Sequence, residues 1–417
     1  MGPGSNRKAS RFAGLIGLLL LSSLIVHGVA ASGHAGAQEG DHTDVGPGGS
    51  RLEVTGLEVN AARWSPMAET VFQNTGRDQG LLHPVPTALA QDRDGFLWIG
   101  TQGGLARFDG YRFHPYRPDP SRPGSLPDGW IASLHVDPAG RVWIGTGAAG
   151  LFQYDRDRDL FRPVPLDTAR DAAPAGREDG RQHVAAITDD GAGGLWIATD
   201  DGLRHLAADG ATVTPHRAGS PTAPGLPAAP AKAVLRDQAG TLWVGTAAGL
   251  VRRPSGGDSF TPVAAGETGT GITTLYQDRA LRLWIGTRRR GLFRLDPDGD
   301  RARPVGAGTP LDCASVSAIV EATGEATGEA TGEATGDGAG TVAEAGEIWA
   351  GLRGSGVAAV NPVTGAVRMV RHDRTVPFSL PNDDVWDLLR DDAGSIWVAT
   401  GGGLGHHPPQ ADIISTI

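Results

Sequence analysis

The sequence predicts an all-β protein: seven four-stranded antiparallel units stacked radially into a closed ring. Three observations predict it. The phrase Leu97-Trp98-Ile99-Gly100-Thr101 recurs six more times, around Trp143, Trp196, Trp243, Trp284, Trp349 and Trp397. Successive tryptophans lie 45, 53, 47, 41, 65 and 48 residues apart, a period of about fifty that marks a repeat architecture. The chain of 417 residues holds 63 Gly and 29 Pro, a loop-rich makeup, and shows no long apolar period of 3.6 outside its N-terminus.

Each repeat reads as four short strands. An apolar segment such as Ile131–Val136 comes first. It ends at Asp-x-x-Gly, seen as Asp92/Gly95, Asp137/Gly140, Asp190/Gly193, Asp237/Gly240 and Asp391/Gly394. The Asp caps its own turn and the Gly accepts the positive φ that a tight turn needs. The fifth copy keeps Asp278 but carries Leu281 in place of glycine. The Trp-bearing strand follows, then a Gly-rich turn and a third strand such as Gly104–Phe108. Fourth strands are expected at Phe113–Tyr116, Phe161–Val164 and Phe260–Val263. Four strands in forty to fifty residues make the blade of a β-propeller, and the Trp is the expected wedge between neighbours. Thr70–Gln73 reads as a lone strand that completes the seventh blade, with Ile413–Ile417 as the alternative. Either choice closes the ring and protects its edges.

Arg7, Lys8 and Arg11 precede an apolar run, Ala13–Val26, and small-x-small sites follow at Val29-Ala30-Ala31 and Ala35-Gly36-Ala37. Residues 1–37 are therefore expected to be a signal peptide, cleaved after Ala37, with an uncleaved anchor over residues 13–30 as the other reading. Either places the propeller outside the cytoplasm, in a bacterial periplasm. Residues 38–68 are polar and expected to be a disordered lead-in, and 69–417 the propeller. Glu-Ala-Thr-Gly occurs four times in tandem over residues 321–336, so 321–343 is expected to be a flexible insert at the first turn of the sixth blade. The net charge of −10 argues against nucleic acid as a partner. The single cysteine, Cys313, excludes an intramolecular disulfide and is expected to be packed and inert.

The stretch Gln91–Gly110, with Asp92, Gly95, Leu97-Trp98-Ile99-Gly100-Thr101 and Gly104-Leu105-Ala106-Arg107-Phe108-Asp109, resembles the two-component regulator propeller repeat. The resemblance covers about residues 70–408. It implies the periplasmic sensing part of a receptor whose membrane helix leads to a histidine kinase, a hybrid kinase or a diguanylate cyclase. No kinase or cyclase signature stands in this sequence. The expectation is a non-catalytic sensing module, severed or split from its membrane and output domains. The alternatives are a propeller glycosidase or lyase and a protein-docking scaffold.

Propellers bind at one end of the central channel. One register of the inner strands shows small residues, Ala88, Ser133, Ala186, Ala233 and Thr274, expected to wall the channel, with Asp387 as the exception. Arg288, Arg289 and Arg290 fill a turn where other repeats have small residues, and could clamp an anion. Trp130 and Trp386 depart from the repeat near the start of inner strands and could stack on a sugar. Asp383 and Asp384 beside Trp386 could take hydroxyls or a cation. An extracytoplasmic oligosaccharide or other polar nutrient is the expected ligand. No cofactor, metal cluster or catalytic set is expected; adjacent His406 and His407 point to opposite faces of a strand.

Overall fold

The computed structural model describes residues 70–119, 121–166, 182–265, 271–322 and 346–409. The expected signal peptide (1–37) and lead-in (38–68) lie outside them. So do Ile413–Ile417.

The described chain is all-β, with one short 3-10 turn at Arg77–Gln79. It begins with β1 (Gln73–Thr75). Unit 1 is the meander β2 (Pro86–Gln91), β3 (Leu97–Thr101), β4 (Gly104–Phe108) and β5 (Phe113–Tyr116). Unit 2 holds β6 (Ile131–Val136), β7 (Val142–Thr146), β8 (Leu151–Asp155) and β9 (Leu160–Val164). Unit 3 holds β10 (Val184–Asp189), β11 (Leu195–Thr199), β12 (Gly202–Leu206) and β13 (Val213–His216). Unit 4 is β14 (Ala231–Arg236), β15 (Leu242–Thr246), β16 (Gly249–Arg253) and β17 (Thr261–Ala265). Unit 5 is β18 (Ile272–Gln277), β19 (Leu283–Thr287), β20 (Leu292–Leu295) and β21 (Arg301–Val305). A two-pair parallel contact between β17 and β21 joins units 4 and 5 at their outer edges. Unit 6 has β22 (Val316–Glu321), β23 (Ile348–Leu352), β24 (Gly356–Val360) and β25 (Val367–Val370). Unit 7 has β26 (Val385–Arg390), β27 (Ile396–Thr400) and β28 (Gly403–His407), with β1 as its fourth strand.

The inner strands touch in a cycle, β2 to β6, β10, β14, β18, β22 and β26, and β26 returns to β2. The arrangement is propeller-like. Its closing strand is N-terminal, but it lies three residues beyond the expected start, because Phe72 is needed elsewhere. Phe72 is fully buried against Trp349 and Val385, and its N–H is held by Phe378 O at 2.8 Å. Pairing therefore starts one residue later, with Gln73 opposite His406.

The tryptophans pack where the repeat places them. Trp98 of unit 1 sits among Ile131, Val142, Ile144 and Phe161 of unit 2, and Trp143 among Val184, Leu195 and Ile197 of unit 3. Burying an indole against the neighbour ties each unit to the next; truncating one would cost about 3–5 kcal/mol. The turn Asp orients that indole. Its carboxylate accepts the Trp Nε1–H six residues on, at 2.7–2.9 Å, for Asp92, Asp137, Asp237, Asp278 and Asp391. Its other oxygen accepts backbone N–H groups of its own turn, as Asp92 does from Asp94 and Phe96. In unit 3, Asp190 instead takes His205 Nε2 at 2.9 Å, and that imidazole stacks on Trp196.

Two expectations are corrected. Glu321 is the buried last residue of β22, paired with Ile348, so the sixth-unit insert starts after Ala322; residues 323–345 lie outside the described set. Cys313 is exposed, not packed, because it lies on the turn between β21 and β22 rather than on a strand.

Candidate ligand site at the channel mouth

Each inner strand opens with a β-bulge after its first residue, because the register skips one position there. The skipped residues are Thr87, Ala132, Ala185, Lys232, Thr273, Ser317 and Trp386. A bulge re-aims its side chain. All seven line one channel cavity of about 210 Å³, together with the next residues Ala88, Ser133, Ala186, Ala233, Thr274 and Asp387. The small residues singled out in the sequence therefore do wall the channel.

The hydroxyls among these positions lock neighbouring units. Thr87, Thr273 and Ser317 donate to Ile131 O, Val316 O and Val385 O of the following unit at 2.6, 2.6 and 2.8 Å. Around the mouth, the residue after a Trp strand meets the residue before an inner strand. Gly147 donates to Trp130 O, Arg288 to Gly271 O, Arg353 to Ser315 O and Gly401 to Asp384 O. Trp130, Arg288, Arg353 and Asp384 thus share one face of the ring.

On that face the charged groups form two pairs. Lys232 Nζ stands 2.6 Å from Asp200 Oδ1, with His183 Nδ1 3.6 Å from the same oxygen. Burial, then the Lys232 charge, holds His183 below the usual imidazole range, so it is neutral near pH 7. Arg353 Nε stands 3.2 Å from Asp384 Oδ1, and its guanidinium lies 3.5 Å over the Trp386 ring. Trp130 is 45% exposed and meets His183 edge-on at 6.3 Å.

The expected site residues are only partly brought together. Trp130, Trp386, Asp384 and Arg288 belong to the mouth. Asp383 does not: it caps the turn outside, accepting His372 N–H at 2.7 Å while its carbonyl holds Gly356 N–H. Arg288, Arg289 and Arg290 are exposed. Arg290 lines a separate outer cleft with Asp296, Asp300, Arg301, Arg303 and Asp312, because consecutive residues of a tight turn diverge. Lys232, Asp200, His183 and Arg353 were missed. The signal for them was register: each departs from its equivalents in other repeats.

Asp387 is the remaining polar group. Its carboxylate accepts Leu89 N–H of unit 1 at 2.7 Å and Leu388 N–H at 2.9 Å. Burial pushes its pKa up to about 7 against those two hydrogen bonds. His406 and His407 do face opposite ways, stacked on Trp397 and Trp349.

Residues 80–103, 125–148 and 379–402 match the family described as two component regulator propeller. Those three segments are similar to the two-component regulator propeller repeat. Their fold is shared with the extracellular domain of BT3049 from B. thetaiotaomicron, described as a hybrid two component system (TM-score 0.65, 22% identity). That likeness covers 81% of this chain and 42% of the other. The extracellular domain of BT4673 from the same organism, described as a one component system, gives a TM-score of 0.64 at 19% identity over 81% and 40%. The virginiamycin B lyase of Staphylococcus aureus gives 0.56 at 13% identity over 81% and 97%. The chain thus spans less than half the length of the first two. No curated protein matches the sequence.

Proposed function

We propose that this chain is the sensing module of a two-component or diguanylate-cyclase type receptor. It is a seven-bladed propeller, exported through residues 1–37 or anchored by 13–30, that works in the periplasm without catalysing a reaction itself. It binds an extracytoplasmic ligand at the channel mouth, and the membrane and output domains of the receptor read the bound state.

One observation carries this reading. Units that otherwise repeat one plan depart from it together at one end of the channel, through Trp130, His183, Lys232, Arg353, Asp384 and Trp386. A packing role would not need those departures to converge. The propeller repeats and the extracellular two-component neighbours support the same reading. The half-exposed Trp130 face suits a sugar ring, and an oligosaccharide is the proposed ligand class.

The test is thermal denaturation of the purified full chain against a panel of oligosaccharides. A true ligand at 100 times its Kd adds about 2.7 kcal/mol of stability. A shift that Trp130→Ala abolishes is expected. A panel that leaves the melting temperature unchanged throughout would overturn the reading.

A further inference from the structure

At the end of the ring away from the mouth, the junction between units 3 and 4 departs from the repeat. At every other junction the third strand lays an apolar or aromatic side chain on the preceding unit's tryptophan. Tyr154 meets Trp98, Phe108 meets Trp397 and His407 meets Trp349, while Leu206, Leu295 and Val360 share clusters with Trp143, Trp243 and Trp284. Unit 4 lays Arg253 on Trp196 instead, its guanidinium 4.5 Å from the ring. Leu242 pairs with Arg253 on one side and with Arg236 on the other. Directly paired residues of adjacent strands project to one face, so both arginines flank Leu242 on the face packed against Trp196 of unit 3.

Both arginines line one cleft of about 340 Å³, with Ser255 and Asp258 among its other walls. That volume is at the small end of ligand pockets, roughly 300–1,000 Å³. Arg236 and Ser255 close on one point: a Cβ on Gly240 would stand 3.1 Å from Arg236 Nη2 and 3.0 Å from Ser255 Oγ. Neither guanidinium, nor the Ser255 hydroxyl, has a hydrogen-bond or ion-pair partner among the described residues. Of the two carboxylates in the cleft, Asp190 is engaged by His205 and by the N–H groups of Ala192 and Gly194. Asp258 is exposed and acts on Arg253 only at longer range. Stacking on Trp196 accounts for the plane of Arg253, but leucine meets that packing need in units 3 and 5. The partly buried charge of Arg253, beside a second arginine without a counter-ion, is a cost that packing does not offset.

We infer that this cleft binds the oxyanion of a small ligand, a phosphate, sulfate or carboxylate group held between Arg253 and Arg236 with the Ser255 hydroxyl donating. A guanidinium fork matches two oxygens of such a group, and Trp196 already holds the plane of Arg253. The site is distinct from the mouth. β14 starts at the mouth, next to Pro230, and reaches Arg236 only at its last residue. A bound anion would touch unit 4 beside the Trp196 and His205 walls of unit 3.

The test is equilibrium dialysis of the full chain against labelled phosphate, sulfate and galacturonate. Binding of at least one is expected, and the one that binds names the group. Arg253→Leu copies Leu206 and Leu295 of the neighbouring units, so the fold tolerates it; it should weaken binding tenfold or more. Arg236→Gln copies Gln91 and Gln277 and should weaken binding by a smaller factor. Asp258→Asn removes the competing charge and should tighten it. Absence of binding by all three anions, or binding unchanged in both arginine variants, would overturn the inference. Binding lost in Lys232→Ala and kept in Arg253→Leu would place the anion at the mouth and overturn it as well.

Discussion

Gly245 and Ile272 fit across two units as slot and key: a Cβ on Gly245 would stand 2.5 Å from Ile272 Cγ2. The same relation links Gly100 to Ile131, Gly286 to Val316 and Gly351 to Val385. Where alanine replaces that glycine, at Ala198 and Ala399, the next unit opens its inner strand with Ala231 and with Pro86. The chain thus carries its own compensated pairs. Gly245→Ala should destabilise by about 1–3 kcal/mol through overpacking. Ile272→Ala alone should cost about 2–5 kcal/mol. The double variant copies the Ala198–Ala231 pair, so its cost should fall short of the sum by about 1 kcal/mol or more. A denaturant double-mutant cycle checks this; strict additivity would refute it.

Leu281 occupies the turn position where Gly95, Gly140, Gly240 and Gly394 stand, and its φ is 62°. A left-handed backbone costs a β-carbon residue about 1–2 kcal/mol. Its side chain is 43% exposed and gives little back. Leu281→Gly should therefore stabilise by up to about 1 kcal/mol, after allowing for the greater freedom of glycine in the unfolded chain. Thermal melts decide it, and a lower melting temperature would show that the leucine packs usefully.

Asp237 serves two donors, Thr241 N–H at 2.7 Å and Trp243 Nε1–H at 2.8 Å. Asp237→Ala leaves both without their acceptor, at about 1–3 kcal/mol each where they are buried. The loss should be about 2–4 kcal/mol, with a changed Trp243 fluorescence maximum. A loss below about 0.5 kcal/mol would mean that water replaces the carboxylate.

Asp387 gives a pH signature. Its pKa in the folded state sits at about 7, against an ordinary 3.8. Between those values the folded state holds a proton that the unfolded state has released, so this group's contribution falls as pH rises from about 4 to about 7 and stays low above. Asp387→Ala removes that slope. The difference in melting temperature, variant minus wild type, should climb between pH 4 and 7 and then level off, on top of a constant loss from the missing Leu89 hydrogen bond. Parallel curves would refute the assignment. Subtraction matters because His183, His216, His406 and His407, all depressed chiefly by burial, tilt stability the other way, losing it as pH falls.

The strand plan was legible because one residue pair enforces it. Asp and Trp, six apart, fix a turn and an indole together, so β6 and β5 fall where the pattern puts them. The entry of the chain was less legible, because the demand that Phe72 be buried among Trp349 and Val385 is tertiary. At the site, Trp386 and Trp130 stood out as aromatics in the wrong register. Lys232 did not, since a lysine on a loop-rich surface is ordinary until the bulge aims it, and Arg353 did not, since an arginine just past a strand end is equally ordinary.

The closing strand has a mechanical consequence. β1 holds β28 through three residue pairs, Gln73–His406, Asn74–Gly405 and Thr75–Leu404, reinforced by Asn74 Nδ2 on Ser379 O and by Val71 O beside His407 Nδ1. Both ends of the described chain thus leave from unit 7, whose inner strand carries Trp386 and Asp387. A pull on either end loads that sheet, through β1 and β28, before any other. The sheet proposed to line the ligand site is also the one that would feel tension, so force and occupancy would be read at one place.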